Sequence, residues 1–187
     1  MNPAKVLVVT ILAGTLSIGA ALFGERWFAQ QDIDFGGGRE DNGLIVSLPD
    51  VRLPDLEGQT VASNAWAGKV VVLNFWATWC PACLREMPML DELQRGNDPG
   101  RLNVVGIAID APDAVERFLA ENRVEYQVVL GDAETVDLSR RLGNRTGGLP
   151  FTVVFDAFGR RAFSHSGEIT TDMVRDRILP LLGGESG

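Results

Sequence analysis

Cys80 and Cys83 are the only cysteines in the chain, and they stand as Trp79-Cys80-Pro81-Ala82-Cys83 between an apolar run, 72–76, and a stretch of helical spacing, 84–87. A C-x-x-C pair at the first turn of a helix puts both sulfurs on one face, within bonding reach of each other. It also sets the first sulfur beside the free N–H groups and the positive end of the helix dipole. That environment favours thiolate over thiol, and the thiolate is the reactive form, so the chemistry open to the pair is dithiol-disulfide exchange. Other uses fit less well. Structural zinc takes four Cys or His ligands, and beside the two cysteines the chain has one histidine, His165. Covalent haem attachment reads C-x-x-C-H, whereas Leu84 follows Cys83. A purely structural disulfide would close so short a loop that it restrains the unfolded chain little. Glu86 lies three residues beyond Cys83 on the same helix face, where a carboxylate can take or return a thiol proton. On spacing alone, a solvated acidic residue favoured by the dipole is the simpler reading of it.

The elements that must position these groups follow from periodicity. Residues 69–76 are apolar on both faces, as a central covered strand requires, and lead into a helix over 80–94 that Pro88 should bend. Residues 103–109 read as a second buried strand. Residues 114–122 form a helix with Asp113 as its cap, 126–130 a strand, and 135–142 a helix. Strands at 151–155 and 161–166 flank the turn at 156–159, and 171–182 closes as an amphipathic helix. Ahead of these, 51–58 and 59–61 read as two short strands and 64–68 as a short helical segment. The alternation predicts an α/β domain with a central mixed sheet and helices on both faces.

The N-terminal part has a different character. From Val6 to Phe23 no charge interrupts an apolar run that would span about 27 Å as a helix, close to the hydrocarbon thickness of a bilayer. Lys5 precedes it, and Glu25, Arg26, Trp27 and Phe28 follow, which puts the remainder of the chain outside the cytoplasm. Cleavage at the small residues Gly19-Ala20-Ala21 is the competing reading, but the run exceeds the ~7–15 residues of a signal-peptide core. The expected organisation is an anchor at 1–29, a flexible tether at 30–47 containing Gly36-Gly37-Gly38, and a folded domain at 48–187. No Gly-Lys-Ser/Thr follows the glycines, so they form no phosphate loop, and the chemistry of the cysteines calls for no cofactor. The net charge of −8, with no basic stripe, argues against a nucleic-acid partner.

Four segments carry a family resemblance: residues 72–83, Glu86-Met87-Pro88, Gly148-Leu149-Pro150-Phe151-Thr152, and Asp156 to Gly159. From about Leu48 to Leu182 the chain resembles the thioredoxin superfamily. Within it, the likeness is to the membrane-anchored TlpA/ResA-like thiol-disulfide oxidoreductases of bacterial cell envelopes. The resemblance implies a single-pass protein of the bacterial inner membrane with its catalytic domain in the periplasm. It implies that Cys80 is an exposed nucleophile, that Cys83 resolves the mixed disulfide, and that Glu86 is the active-site acid. Pro150 matches the superfamily's cis-proline, beside which the Leu149 backbone pairs with an incoming polypeptide. Trp79 and Pro81 are the implied substrate contacts flanking Cys80. Asn74 stands where thioredoxins proper carry a buried aspartate.

The implied partners are disulfides of exported proteins and a membrane-borne electron donor that recharges the dithiol, since the compartment is oxidising. Pro81-Ala82 lacks the histidine that makes such sites strongly oxidising, which favours reduction of partner disulfides. The family's typical client is apocytochrome c. The segment Asn144 to Gly148 and Phe151 nevertheless depart from the Gly-Val-Tyr-Gly pattern and the acidic residue after proline of the cytochrome-maturation subgroup. Three alternatives stay open at this point: a disulfide oxidant or isomerase of the same fold, a thiol peroxidase, and a redox-inert binding module. Against the peroxidase, Ala77 stands where a peroxide-binding Thr or Ser is expected. Copper delivery pairs C-x-x-x-C with a distal histidine, and the spacing here is shorter; His165 reads as structural and no metal site is expected.

Overall fold

The computed structural model describes residues 40–41 and 44–183. The segment expected to cross a membrane lies outside them, and among the described residues no helix is long and apolar enough to do so. The strands are β1 (Glu40–Asp41), β2 (Leu44–Ile45), β3 (Arg52–Pro54), β4 (Thr60–Ala62), β5 (Val70–Trp76), β6 (Leu102–Ala108), β7 (Gln127–Leu130), β8 (Phe151–Phe155) and β9 (Arg161–Ser166). Three helices lie between them: α1 (Pro81–Arg95), α2 (Pro112–Glu121) and α3 (Ala133–Arg141).

The central sheet has the order β7-β6-β5-β8-β9. β5 is parallel to β6, and β6 to β7, whereas β8 runs antiparallel to β5 and to β9. All seven residues of β5 are buried, and they divide by the period of two. Val70, Val72 and Trp76 pack with Met87, Leu90 and Leu93 of α1, Val115 of α2, and Val174 and Ile178. Val71, Leu73 and Phe75 pack on the other face with Leu142, Leu53, Trp66 and Ile45, with Leu138 of α3 against them. This is the mixed sheet with helices on both faces that the alternation predicts.

Three details differ from the expectation. Residues 44–48, read as tether up to 47, are folded: Ile45 is buried, Val46 O accepts from Arg161 N–H at 2.7 Å, and Leu48 N–H donates to Gly159 O at 2.7 Å. Asp113 does not cap α2. Ala111 is the capping residue with Pro112 at the first helical position, and Asp113, the second helical residue, pairs with Arg117 at 3.1 Å. The closing run 171–182 contains a π-helical turn, Val174–Ile178, in which Leu179 N–H reaches Val174 O. Pro180 explains the last, since it has no N–H with which to continue the tighter ladder.

Gly106 in β6 is required by a close approach. A Cβ there would lie 2.8 Å from Tyr126 Cε2 and 3.0 Å from Trp76 Nε1, both on buried rings. Gly106→Ala is expected to destabilise the domain by about 1–3 kcal/mol through overpacking, read as a lower midpoint in urea denaturation with unchanged slope.

Candidate active site

The end of β5 and the start of α1 build the site. Cys80 is the N-cap of α1 and Pro81 its first residue, where a proline forfeits no helical hydrogen bond. Cys80 Sγ accepts from Cys83 N–H at 3.2 Å, and the two cysteines are joined in a disulfide with Cα atoms 5.3 Å apart. The expectation of an exposed Cys80 needs correction: it is 5% accessible and Cys83 0%. The Cys80 sulfur is folded back over the helix end and packs in the apolar cluster of Trp76, Ala77 and Met87. The exposed group is Trp79, at 66%.

The loop before Cys80 is fixed by Asp110, just beyond β6. Its Oδ2 accepts from Thr78 N–H at 3.1 Å and from the Thr78 hydroxyl, and its Oδ1 from Ala111 N–H at 2.8 Å. Burial pulls Asp110 upward, but these hydrogen bonds outweigh it and hold the carboxyl below its ordinary range.

Glu86 lies one turn beyond Cys83 and is 1% exposed. Its Oε1 accepts from Asn74 Nδ2 at 2.7 Å and its Oε2 from Ile169 N–H at 2.7 Å. Asn74 Nδ2 also donates to Thr152 Oγ1 at 3.0 Å, its cross-strand partner on β8. Burial is the largest influence on this carboxyl and pushes it up; the bonds from Ile169 and Asn74 pull it back, and the charge of Glu168 adds a small push. The result stands at about 7, against an ordinary 4.5. A carboxyl so placed can exchange a proton near neutrality.

The cis peptide bond Leu149–Pro150 precedes β8, whose first residue Phe151 pairs with Phe75 of β5. Topology therefore brings Leu149 and Pro150 to the end of the sheet from which β5 enters the cysteine loop. Leu149, half-buried, packs against the cluster that holds Cys80 and Cys83. Hydrogen bonds hold its neighbours: Asn144 Nδ2 donates to Gly148 O at 2.9 Å, and Gly167 N–H to Pro150 O at 2.9 Å. Trp66 is core, donating to Gln127 Oε1 at 3.0 Å, and His165 stacks on Phe163 with ring centroids 6.3 Å apart. Among the described residues no group of three His, Cys, Asp or Glu side chains could hold a metal ion.

Sequence reasoning did not find Asp110, Thr78, Ile169 or the link from Asn74 to Glu86. The signal for Asp110 was present, an acidic residue at the end of a buried strand, but its partner is 32 positions away. Ile169 acts through a backbone amide, which no side-chain pattern reveals.

A sheet with this topology and a dithiol at the N-terminus of its buried helix define a thioredoxin-like thiol-disulfide oxidoreductase. The AhpC/TSA family model matches residues 46–160, and the chain belongs to that family. It is 31% identical over 183 residues to the thiol:disulfide interchange protein HelX of Rhodobacter capsulatus, covering 90% of this chain and 93% of that protein. It is 30% identical over 125 residues to the thiol-disulfide oxidoreductase ResA of Halalkalibacterium halodurans, covering 66% and 69%. A thiol:disulfide interchange protein of the thioredoxin family from Chlorobium tepidum superposes with a TM-score of 0.64 at 25% identity, covering 74% of this chain and 97% of that one.

The state of Glu86 links to stability. Between about pH 4.5 and 7 the folded chain keeps a proton on Glu86 that the unfolded chain has released, so stability falls as pH rises through that window. The loss should reach about 3 kcal/mol. Urea denaturation of the oxidised protein at pH 4.5 to 8 is expected to show this step in the wild type and not in Glu86→Gln; equal pH slopes in the two would contradict it.

Proposed function

We propose that the chain reduces disulfides of exported proteins, held by its N-terminal segment 1–29 in the inner membrane with the domain from about residue 48 in the periplasm. The observation that carries the reading is the Cys80–Cys83 pair at the helix N-terminus with a buried carboxyl one turn further on. Reduced Cys80, as thiolate, attacks one sulfur of the partner disulfide; a mixed disulfide forms and the first partner thiolate leaves. Cys83 then gives its proton to Glu86 and attacks the Cys80 sulfur, expelling the second partner thiolate. The partner gains two electrons and takes up two protons, and the domain is left oxidised, to be recharged by a membrane-borne dithiol.

In this reading the helix terminus lowers the Cys80 thiol and Glu86 serves Cys83 as proton acceptor and donor. Trp79 and Pro81, both exposed beside Cys80, and the Leu149 backbone ahead of Pro150 form the contact surface for the partner chain. Backbone pairing at Leu149 gives affinity with little demand on sequence, which suits several clients. Apocytochrome c is one client compatible with the chemistry. Peroxidase activity is disfavoured by Ala77, a methyl group where a hydroxyl would be needed to hold peroxide.

The equilibrium potential of the pair, measured on the full chain against a dithiothreitol series, is expected near that of thioredoxin, about −270 mV. A value near about −120 mV would make the chain an oxidant and reverse the proposed direction. In the reduced chain, Glu86→Gln is expected to displace the pH profile of Cys83 alkylation, with Cys80 as internal control. An unchanged profile would remove Glu86 from the exchange.

A further inference from the structure

Three consecutive residues after β9 each hold a different part of the site. Gly167, at a φ of 103° that favours glycine, donates its N–H to Pro150 O at 2.9 Å. Glu168 Oε2 accepts from Arg85 Nε at 2.9 Å and Nη2 at 2.6 Å. Ile169 N–H donates to Glu86 Oε2 at 2.7 Å, and its side chain is buried in the cluster of Cys80 and Cys83. The strap is tied to α1 once more through the Thr171 hydroxyl on Met89 Sδ at 3.6 Å. Arg85, Glu86 and Met89 are neighbours on α1, so residues 167–171 lie along that helix and cover the acid.

The other groups around Glu86 are fixed from within. Asn74 and Thr152 come from the sheet and Cys83 from the same helix, all at 0% exposure. Tyr126, at 3%, comes from the segment before β7; burial first, then the charges of Asp91 and Glu86, push its phenol up. The strap is the side open to solvent: the Arg85 and Glu168 side chains are 60% and 38% exposed.

We propose that Glu168 is a positioning residue for Glu86: gripped by Arg85, it keeps residues 167–169 against α1, so that the Ile169 amide stays on the acid and water stays off it. The catalytic meaning of this clasp rests on Glu86 serving Cys83, but its test reads Glu86 alone. Releasing the strap removes two opposed influences, burial, which pushes Glu86 up, and the Ile169 bond, which pulls it down, and burial is the larger. Loosening therefore lets Glu86 ionise at lower pH. An exposed, two-pronged ion pair shifts the strap's closed-to-open ratio about two- to fivefold.

The test follows the Glu86 carboxyl carbon by NMR against pH in the oxidised full chain, where neither cysteine titrates. Wild type, Glu168→Gln, Arg85→Gln and the exchanged pair Arg85→Glu/Glu168→Arg are compared. Both single variants are expected to lower the Glu86 midpoint by about half a pH unit and to speed Ile169 amide exchange about two- to fivefold. The exchanged pair should restore both. Charge acting through space without a strap gives opposite signs, since losing Glu168 removes a repulsion and losing Arg85 unmasks one. Opposite signs, or midpoints that do not move, overturn the proposal. A Cys83 alkylation profile indifferent to Glu86→Gln would strike the role of Glu86 in exchange, and these midpoints would still decide the clasp.

Discussion

A carboxyl group with 1% exposure, no cation in contact among the described residues, and two N–H groups as its partners is the constraint around which this site is organised. Burying a bare carboxylate is costly, so such a group is neutral at neutral pH unless hydrogen bonds to the ion offset the loss of water. Here the offset is partial. Asn74 supplies one bond from the central strand and Ile169 the other from the chain after β9, which explains why two elements so distant in sequence converge on α1. Asn74 spends both donor directions on Glu86 and Thr152, and its own Oδ1 meets no donor among the described residues. An aspartate at position 74 would put two carboxyls in contact and force one to hold a proton; the amide avoids that and leaves a single titrating acid below the cysteines.

The sulfur end of the site rests on different physics. Cys80 occupies the capping position itself, where a side-chain acceptor satisfies an amide that the helix cannot. The same amide that bonds the disulfide sulfur would bond a thiolate more strongly, because the acceptor is then charged. The position of Cys80 depends in turn on Asp110, which fixes Thr78 two residues earlier and is itself held in the ionised form by its bonds. The Cys80 end is thus held by backbone amides and a low carboxylate, while the Cys83 end is backed by a carboxyl near neutrality.

Much of this was legible in the sequence, for identifiable reasons. The covered strand at 70–76 shows as an unbroken apolar run, and the cysteine spacing fixes the helix start, so β5, α1 and the alternation of β6 to β9 with α2 and α3 along the chain follow from pattern alone. The interval of three from Cys83 placed Glu86 on the correct face but could not say whether it was buried, because burial is decided by what the chain lays over it some 83 residues later. The cap of α2 was misplaced because Pro112 starts that helix without a side-chain cap, so the search for an acidic cap settled on Asp113. The π-helical turn was invisible to a search for helical periodicity, although its cause, Pro180, was in plain view. Residues 44–47 read as a tether because a short pairing along the β8–β9 turn has no period to detect.

Under the proposed reaction, the balance at Glu86 suits a two-way exchange. A fully solvated carboxyl, ordinarily near 4.5, would be too weak a base to take a thiol proton efficiently. A carboxyl buried without donors would stay protonated well above neutrality and could take nothing. Between these limits a group near 7 can accept a proton from Cys83 when the mixed disulfide resolves and return one when the pair is recharged, with a small penalty in either direction. Because burial and hydrogen bonding oppose each other at this one carboxyl, any element that adjusts the cover over Glu86 adjusts the pH at which it ionises, and the chain after β9 is the element that supplies that cover.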